Sequence, residues 1–321
     1  MGLTMTSAHE SGNPVGDRSS LISHGEDTLT DFDALMTRAK SRLRDAGDLP
    51  GASVAEQITL LEALSSFELG RFLLRNRGLD AYWTHRLVTY PDGPAAALEM
   101  SALERQLFEK TPAVLATRER FGIFRQQLQA LLQPNQVVAS VPCGLMGELL
   151  SLDYSRHAGV ALVGIDLDAS AIDGAQRLAG QLNLADRLSL RCQDAWTMSA
   201  QNEFDILTSN GLNLYEPDDT RVVALYRSFF EAIKPGGTLL TSFLTPPPML
   251  SDASPWDLTQ IDSESLALQH LLFVRIIEAK WGAFRTHDQT ASQLEQAGFN
   301  EIQFIDDRAR MFPTVTAKKR A

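Results

Sequence analysis

Between positions 137 and 166 the chain reads as an apolar run, a glycine turn, a helix opening and a second apolar run that ends on an acid. The pieces are VVASVP, CGLMG, ELLSLDY and GVALVGID, the last closing on Asp166. Two short apolar runs joined this way are buried parallel strands. A tight turn that leads into a helix brings backbone N–H groups and a helix N-terminus up to an anionic ligand. An acid at the tip of the second strand is placed for the hydroxyl pair of a ribose. The segment therefore predicts a nucleotide- or nucleoside-binding α/β unit. A G-x-G-x-x-G run, which a dinucleotide's pyrophosphate would call for, is absent.

The pattern continues downstream. RLSLRCQDAW (187–196) reads as a third strand ending at Asp194, and EFDILTSNGLN (203–213) as a fourth. AIKPGGTLLTSFL (232–244) reads as a helix end, a Pro-Gly-Gly turn and a fifth strand. This succession, with Lys234-Pro235-Gly236-Gly237 after an amphipathic helix, resembles the class I S-adenosylmethionine (SAM)-dependent methyltransferases over about residues 134–321. The resemblance implies an α/β, Rossmann-like fold: a mostly parallel seven-stranded sheet whose last strand is antiparallel. It implies SAM as the cofactor. The first turn, at Pro142, Cys143 and Gly144, would hold the methionine end. Asp166, with Asp168 beside it, would hold the ribose, and Asp194 with Ala195 and Trp196 would meet the adenine.

The turn departs from the family's pattern. Ser140 stands where an acid is usual, and Pro142 where the first glycine is. Proline lacks an N–H donor and fixes φ, so this turn has a shape of its own. Asp166 and Asp168 also compete for a second task, capping a helix that begins near Ala169.

SNGLNLYEPDD (209–219) comes straight after the fourth strand, where the resembling family faces the transferring methyl group. Asn210 and Tyr215 are the candidate catalytic residues there. Asn210 or Asn213 could hold the SAM amino acid or a substrate amine, and Tyr215 could present its ring to a sulfonium. Two asparagines around a glycine also make an ordinary left-handed turn.

Ahead of this unit the chain is helical. Residues 1–30 are rich in Ser, Gly and Asp and read as a flexible tail. Residues 31–133 read as a helical lid or substrate domain, with helices closing at Gly47, running from 54 to 77 with Gly78 as cap, covering ALEMSALERQLFEK, and opening at Thr111-Pro112. Glu68 falls on an apolar stripe within reach of Arg71 and Arg75, which predicts a structural ion pair. DAYWTHR (80–86) clusters Tyr82, Trp83, His85 and Arg86, which reads as the lining of a lid over a small substrate, with Tyr82 and Trp83 the candidate substrate contacts, or equally as an inter-domain packing seam. Residues 134–321 read as the SAM-binding domain, with a helical insertion at 246–283 and a last helix, DQTASQLEQAGF, capped near Gly298. EIQFIDD and residues 311–317 read as a final antiparallel hairpin at the sheet edge.

Net charge is −11, which disfavours nucleic acid and anionic membranes and favours a small neutral or cationic substrate. The two cysteines do not suggest a disulfide framework, and the polar first twenty residues lack a secretory signal core, so the expectation is a cytoplasmic protein. The six histidines are scattered, so no metal site is expected. Oligomeric state is open. These observations lead to a SAM-dependent methyltransferase acting on a small molecule. The alternatives are a SAM-consuming cyclase giving azetidine-2-carboxylate and methylthioadenosine, and a non-catalytic SAM-binding protein.

Overall fold

The two apolar runs form β1 (Val137–Ser140) and β2 (Ala161–Asp166), hydrogen-bonded in parallel with Ser140 opposite Gly164. They belong to a computed structural model that describes residues 32–92, 99–280 and 282–321. The expected tail at 1–30 lies outside the described residues. β3 (Leu188–Cys192), β4 (Phe204–Ser209), β5 (Ile233–Ser242), β6 (Asn300–Ile305) and β7 (Thr314–Lys318) complete a seven-stranded sheet in the order β3-β2-β1-β4-β5-β7-β6. β7 slots between β5 and β6 and runs antiparallel to both. The chain leaves β1 in one direction toward β3 and returns to β4 on the other side. The strand order therefore reverses between β1 and β4, where open α/β sheets place their ligands.

Residue alternation along β1 sorts the two faces. Val138 faces Phe124 and Leu128, while Ala139 joins the cluster of Leu225, Phe229 and Leu294 on the opposite face. The first pair comes from α6 (Pro112–Leu131), which shares its cluster with α8 (Ala169–Gln181); the second set comes from α9 (Asp219–Ala232) and α11 (His287–Ala297). The Pro-Gly-Gly stretch lies inside β5 rather than ahead of it. It sits where the β4–β5 register breaks between Phe204 and Ile206, and a Cβ on Gly237 would come within 2.8 Å of the Asp205 carbonyl oxygen. It is a bulge, and it needs glycine because another backbone passes so close.

The N-terminal helices are α1 (Phe32–Ala46), α2 (Val54–Ser65), α3 (Glu68–Asn76), α4 (Ala81–Thr89) and α5 (Ala102–Glu109). The expected single helix over 54–77 is thus two. The Ser65 and Ser66 hydroxyls each donate to a carbonyl of the preceding turn at 2.7 Å, which competes with helix propagation. Gly70 then folds so tightly against Leu64 that a Cβ would lie 1.9 Å from its carbonyl oxygen. α3 ends on Arg77 in the left-handed region (φ 58°), one residue before the expected cap at Gly78. The expected ion pair at Glu68 gives way to another contact: Glu68 is exposed, and Arg71 donates to the Ser65 carbonyl at 3.0 Å.

The segment between β5 and α11 leaves and rejoins the sheet where Leu244 bridges Phe284. It contains α10 (Ser263–His270), which continues into a π-helical turn, Leu271–Ile276. Leu272, Phe273 and Ile276 bury themselves among Leu61, Leu73 and Phe108 of the N-terminal helices. Arg42 donates to the carbonyls of Arg275 and Ile276 at 2.7 Å, satisfying groups the π turn leaves free. The insertion therefore shares one core with the helices that precede the sheet.

Candidate functional site

The carboxyl ends of β1 to β4 open, beneath α4 and α6, into a cavity of about 260 Å³. Its floor is the turn after β1, which leads into the single helical turn α7 (Gly147–Leu150). Gly144 and Met146 both take positive φ (48° and 55°). The turn folds down onto β2: a Cβ on Gly164 would meet the Met146 sulfur at 2.6 Å and the Cys143 sulfur at 3.1 Å. Burial pushes the Cys143 thiol up, so it stays protonated and apolar.

The amides of Cys143, Gly144 and Met146 are committed within the protein. Pro142 has none; Cys143 N–H donates to the Ile165 carbonyl at 2.9 Å, and Met146 N–H to the Cys143 carbonyl at 2.7 Å. Gly144 N–H donates to Asp166 Oδ2 at 2.9 Å, and Asp168 N–H donates to Oδ1 at 3.0 Å. Asp166 thus ties the tip of β2 to the turn. Burial raises its pKa, and the Asp168, Gly144 and Leu167 backbone N–H groups oppose the rise. Asp168 is the N-cap of α8, its Oδ1 accepting from Ser170 N–H at 2.8 Å. Asp194 likewise caps a 3₁₀ turn, accepting from Trp196 N–H at 3.0 Å, which is why β3 stops two residues earlier, at Cys192. Trp196 is held by its indole N–H on the Arg221 carbonyl at 2.9 Å, with the Arg221 guanidinium 5.2 Å from its ring. Asp166, Asp168, Asp194, Ala195 and Trp196 all line the cavity, as do Pro142, Cys143 and Gly144.

After β4, Asn210 and Tyr215 line the cavity and Asn213 does not. The Asn210 Oδ1 is buried without a hydrogen-bond partner. Burial raises the Tyr215 phenol, and the Arg120 charge opposes the rise. Asn213 is 2% exposed; its side chain donates to Tyr226 Oη at 2.9 Å and its carbonyl accepts from Arg285 at 2.9 Å. It pins the loop from behind and is removed from the substrate contacts expected of it.

Tyr82 and Trp83 are also displaced from their expected place. Trp83 is buried in the helical core against Phe72, and Tyr82 is half exposed, accepting from Arg86 at 2.7 Å. The face of α4 that meets the cavity carries Ala81, Thr84, His85 and Val88 instead. At 100° per residue, 81, 84, 85 and 88 share one side of a helix that 82 and 83 do not. His85 lies against the turn: a Cβ on Gly147 would meet its Nδ1 at 2.6 Å. Burial lowers the imidazole pKa, so the ring is neutral at neutral pH.

Two further residues escaped the reading of the sequence. Glu148, 6% exposed, reaches back from α7 to accept from the Ser140 hydroxyl at 2.6 Å. A carboxylate is thereby returned to the tip of β1, where Ser140 stands in place of an acid. Arg120, 7% exposed, enters from α6 and donates to Ser242 Oγ at 3.1 Å. Its sequence signal was its spacing: it lies four residues before Phe124 and eight before Leu128, on the buried stripe. Both line the cavity. Five acids, Asp80, Glu148, Asp166, Asp168 and Asp194, face it against Arg120 and Arg221, a balance that favours a cationic ligand. Among the described residues no three metal-ligating side chains come together.

Comparison with known proteins agrees with this geometry. Residues 140–237 match a family model described as a methyltransferase domain. A solved structure from Bordetella parapertussis, described as that of a possible exported protein, is 56% identical, with a TM-score of 0.87 over 91% of this chain and 97% of that one. Demethylmenaquinone methyltransferase from Lactiplantibacillus plantarum is 26% identical over 55% of this chain and 75% of its own length. Phosphoethanolamine N-methyltransferase 1 from Arabidopsis thaliana is 33% identical over 112 residues; the matched part spans only 21% of that protein. With the sheet order, the switch-point cavity and the matched region taken together, residues 140–237 carry a methyltransferase domain on the class I, Rossmann-like fold, whose cofactor is SAM.

Proposed function

We propose that the protein transfers the methyl group of SAM to a small molecule bound between the sheet and α4. The observation that carries this reading is Asp166: a half-buried carboxylate at the switch point, oriented by the Gly144 and Asp168 backbone N–H groups, with acceptor capacity left for a ribose hydroxyl. Asp194 and Trp196 extend the same wall for an adenine. The unpartnered Asn210 Oδ1 suits an ammonium or amine donor. The excess of acids suits a sulfonium. When bound, SAM supplies an electrophilic methyl group on that sulfonium. The chain's task is then alignment and exclusion of water.

Residues 31–133, with the insertion at 246–283, act in this reading as the lid, and α4 is the part of it that meets the acceptor. His85 is the base for an acceptor whose attacking oxygen or nitrogen carries a proton, because it is neutral, lines the cavity and touches the turn. Tyr215 contributes its ring to the sulfonium's surroundings. The test is incubation with methyl-labelled SAM and fractionated small metabolites. A labelled small molecule should appear together with S-adenosylhomocysteine, and His85→Gln should slow its formation about 100-fold without weakening the binding of S-adenosylhomocysteine. Absence of any labelled acceptor, or a His85→Gln variant as fast as the parent, would count against the respective part.

A further inference from the structure

Arg120 and Glu148 are two buried opposite charges at the same end of one cavity, and no described ion pair joins them. The guanidinium makes one hydrogen bond, to Ser242 Oγ at 3.1 Å, and stacks 5.0 Å from the Phe312 ring centroid. Its Nε is buried with no partner. Asp307 attracts it through space, and Tyr215 and Glu148 do so more weakly, but the Asp307 carboxylate spends its oxygens on the Met311 and Phe312 amides and Glu148 makes no direct hydrogen bond to it. Burial pulls the Arg120 pKa down to about 10, the sign of a cation short of an anion. Glu148 has the opposite shortage. It accepts one hydroxyl bond, from Ser140, and burial pushes its pKa up.

A ligand that satisfies both carries a carboxylate and an ammonium. The place fits the sheet order. Glu148 stands at the tip of β1 through Ser140, Arg120 stands at the tip of β5 through Ser242, and β4 with Asn210 lies between them. The ribose site at the tip of β2 is on the other side of β1, so a chain leaving Asp166 and crossing the turn arrives between the two charges. The amides of Cys143, Gly144 and Met146 are already donated internally and Pro142 has none, so those four positions offer a carboxylate no N–H.

We propose that Arg120 and Glu148 clamp the α-amino acid end of the cofactor, the guanidinium taking the carboxylate and the glutamate the ammonium. The clamp rests on the SAM site proposed above and adds a selectivity to it: a nucleoside without the amino acid loses the contacts made at this end. It also accounts for the missing acid at Ser140, whose hydroxyl orients the Glu148 carboxylate.

Calorimetric titration of the full chain tests this with three ligands: S-adenosylhomocysteine, its decarboxylated analogue and methylthioadenosine, which lacks the amino acid. In the parent protein, loss of the carboxylate should weaken binding by about 30- to 100-fold. Arg120→Met should weaken S-adenosylhomocysteine about 100-fold and leave methylthioadenosine within about threefold. Glu148→Gln should weaken S-adenosylhomocysteine about tenfold, again sparing methylthioadenosine, and Arg120→Lys should recover part of the loss. The decarboxylated ligand needs no variant, so the test survives a variant that does not fold. Equal affinity of the parent for S-adenosylhomocysteine and its decarboxylated analogue overturns the clamp while leaving the nucleoside site standing. Failure of all three ligands to bind the parent instead overturns the SAM site, and the clamp with it.

Discussion

Asp166 does two jobs with two oxygens, and the pair explains how it should fail. Each oxygen already accepts a backbone N–H, so the side chain holds the first turn in place as well as facing the proposed ribose. Asp166→Asn keeps the shape, removes the charge and turns one acceptor into a donor. Affinity for S-adenosylhomocysteine should fall by about 10- to 100-fold, read by calorimetry. The pH dependence has a definite sign. Burial raises the Asp166 pKa, and the ionised form is the one that accepts from two hydroxyls. Affinity should therefore be lost as pH falls through that raised value, starting above the ordinary aspartate range, and Asp166→Asn should abolish this limb. A flat profile in the parent protein would contradict the assignment. The acids at strand ends were legible in the sequence because strand position and chemistry coincide at Asp166 and Asp194. Glu148 and Arg120 were not, because each reaches the site from a helix, and only the fold brings eight and more residues of separation down to a hydrogen bond.

The elements divide in the same way. β1 to β4, α6 and the caps at Gly47 and Gly298 could be read from apolar runs and turn residues, since local chemistry fixes them. The break between α2 and α3 could not, since it depends on Gly70 meeting the Leu64 carbonyl after the chain has folded back. Nor could the facing of α4. Aromatic residues at 82 and 83 look like a lining, yet helix geometry turns Trp83 to the core and Tyr82 to the surface and gives the cavity His85. The insertion's π-helical turn packs into that same core through Leu272, which is 1% exposed. Leu272→Ala should therefore destabilise the N-terminal helices as well as its own segment, by about 2–5 kcal/mol in denaturant unfolding. A loss under about 0.5 kcal/mol would show that the insertion is not part of that core. Gly147→Ala probes the other contact of the lid: its Cβ would strike the His85 ring, so it should slow methyl transfer more than it weakens nucleoside binding, measured as kcat against Kd.

At the scale of the whole molecule, a sheet whose strand ends line the proposed nucleoside site is joined to a helical layer assembled from distant stretches of chain, 32–92 with 99–131, and 263–277. The cavity lies where they meet, lined by α4 and α6 on one side and the strand ends on the other. Such an arrangement aligns two reactants and keeps water out, which is most of what methyl transfer asks of a protein. The same enclosure would also serve an enzyme that turns SAM on itself, its amine displacing the sulfur to give azetidine-2-carboxylate. The nucleoside product separates the two chemistries directly. The purified protein is incubated with SAM, with and without fractionated small metabolites, and the nucleoside formed is identified by mass spectrometry. For a methyltransferase, SAM alone should be stable on the protein, and S-adenosylhomocysteine should accumulate only when an acceptor is present. Catalytic release of methylthioadenosine from SAM alone, above the spontaneous background, would contradict methyl transfer as the reaction.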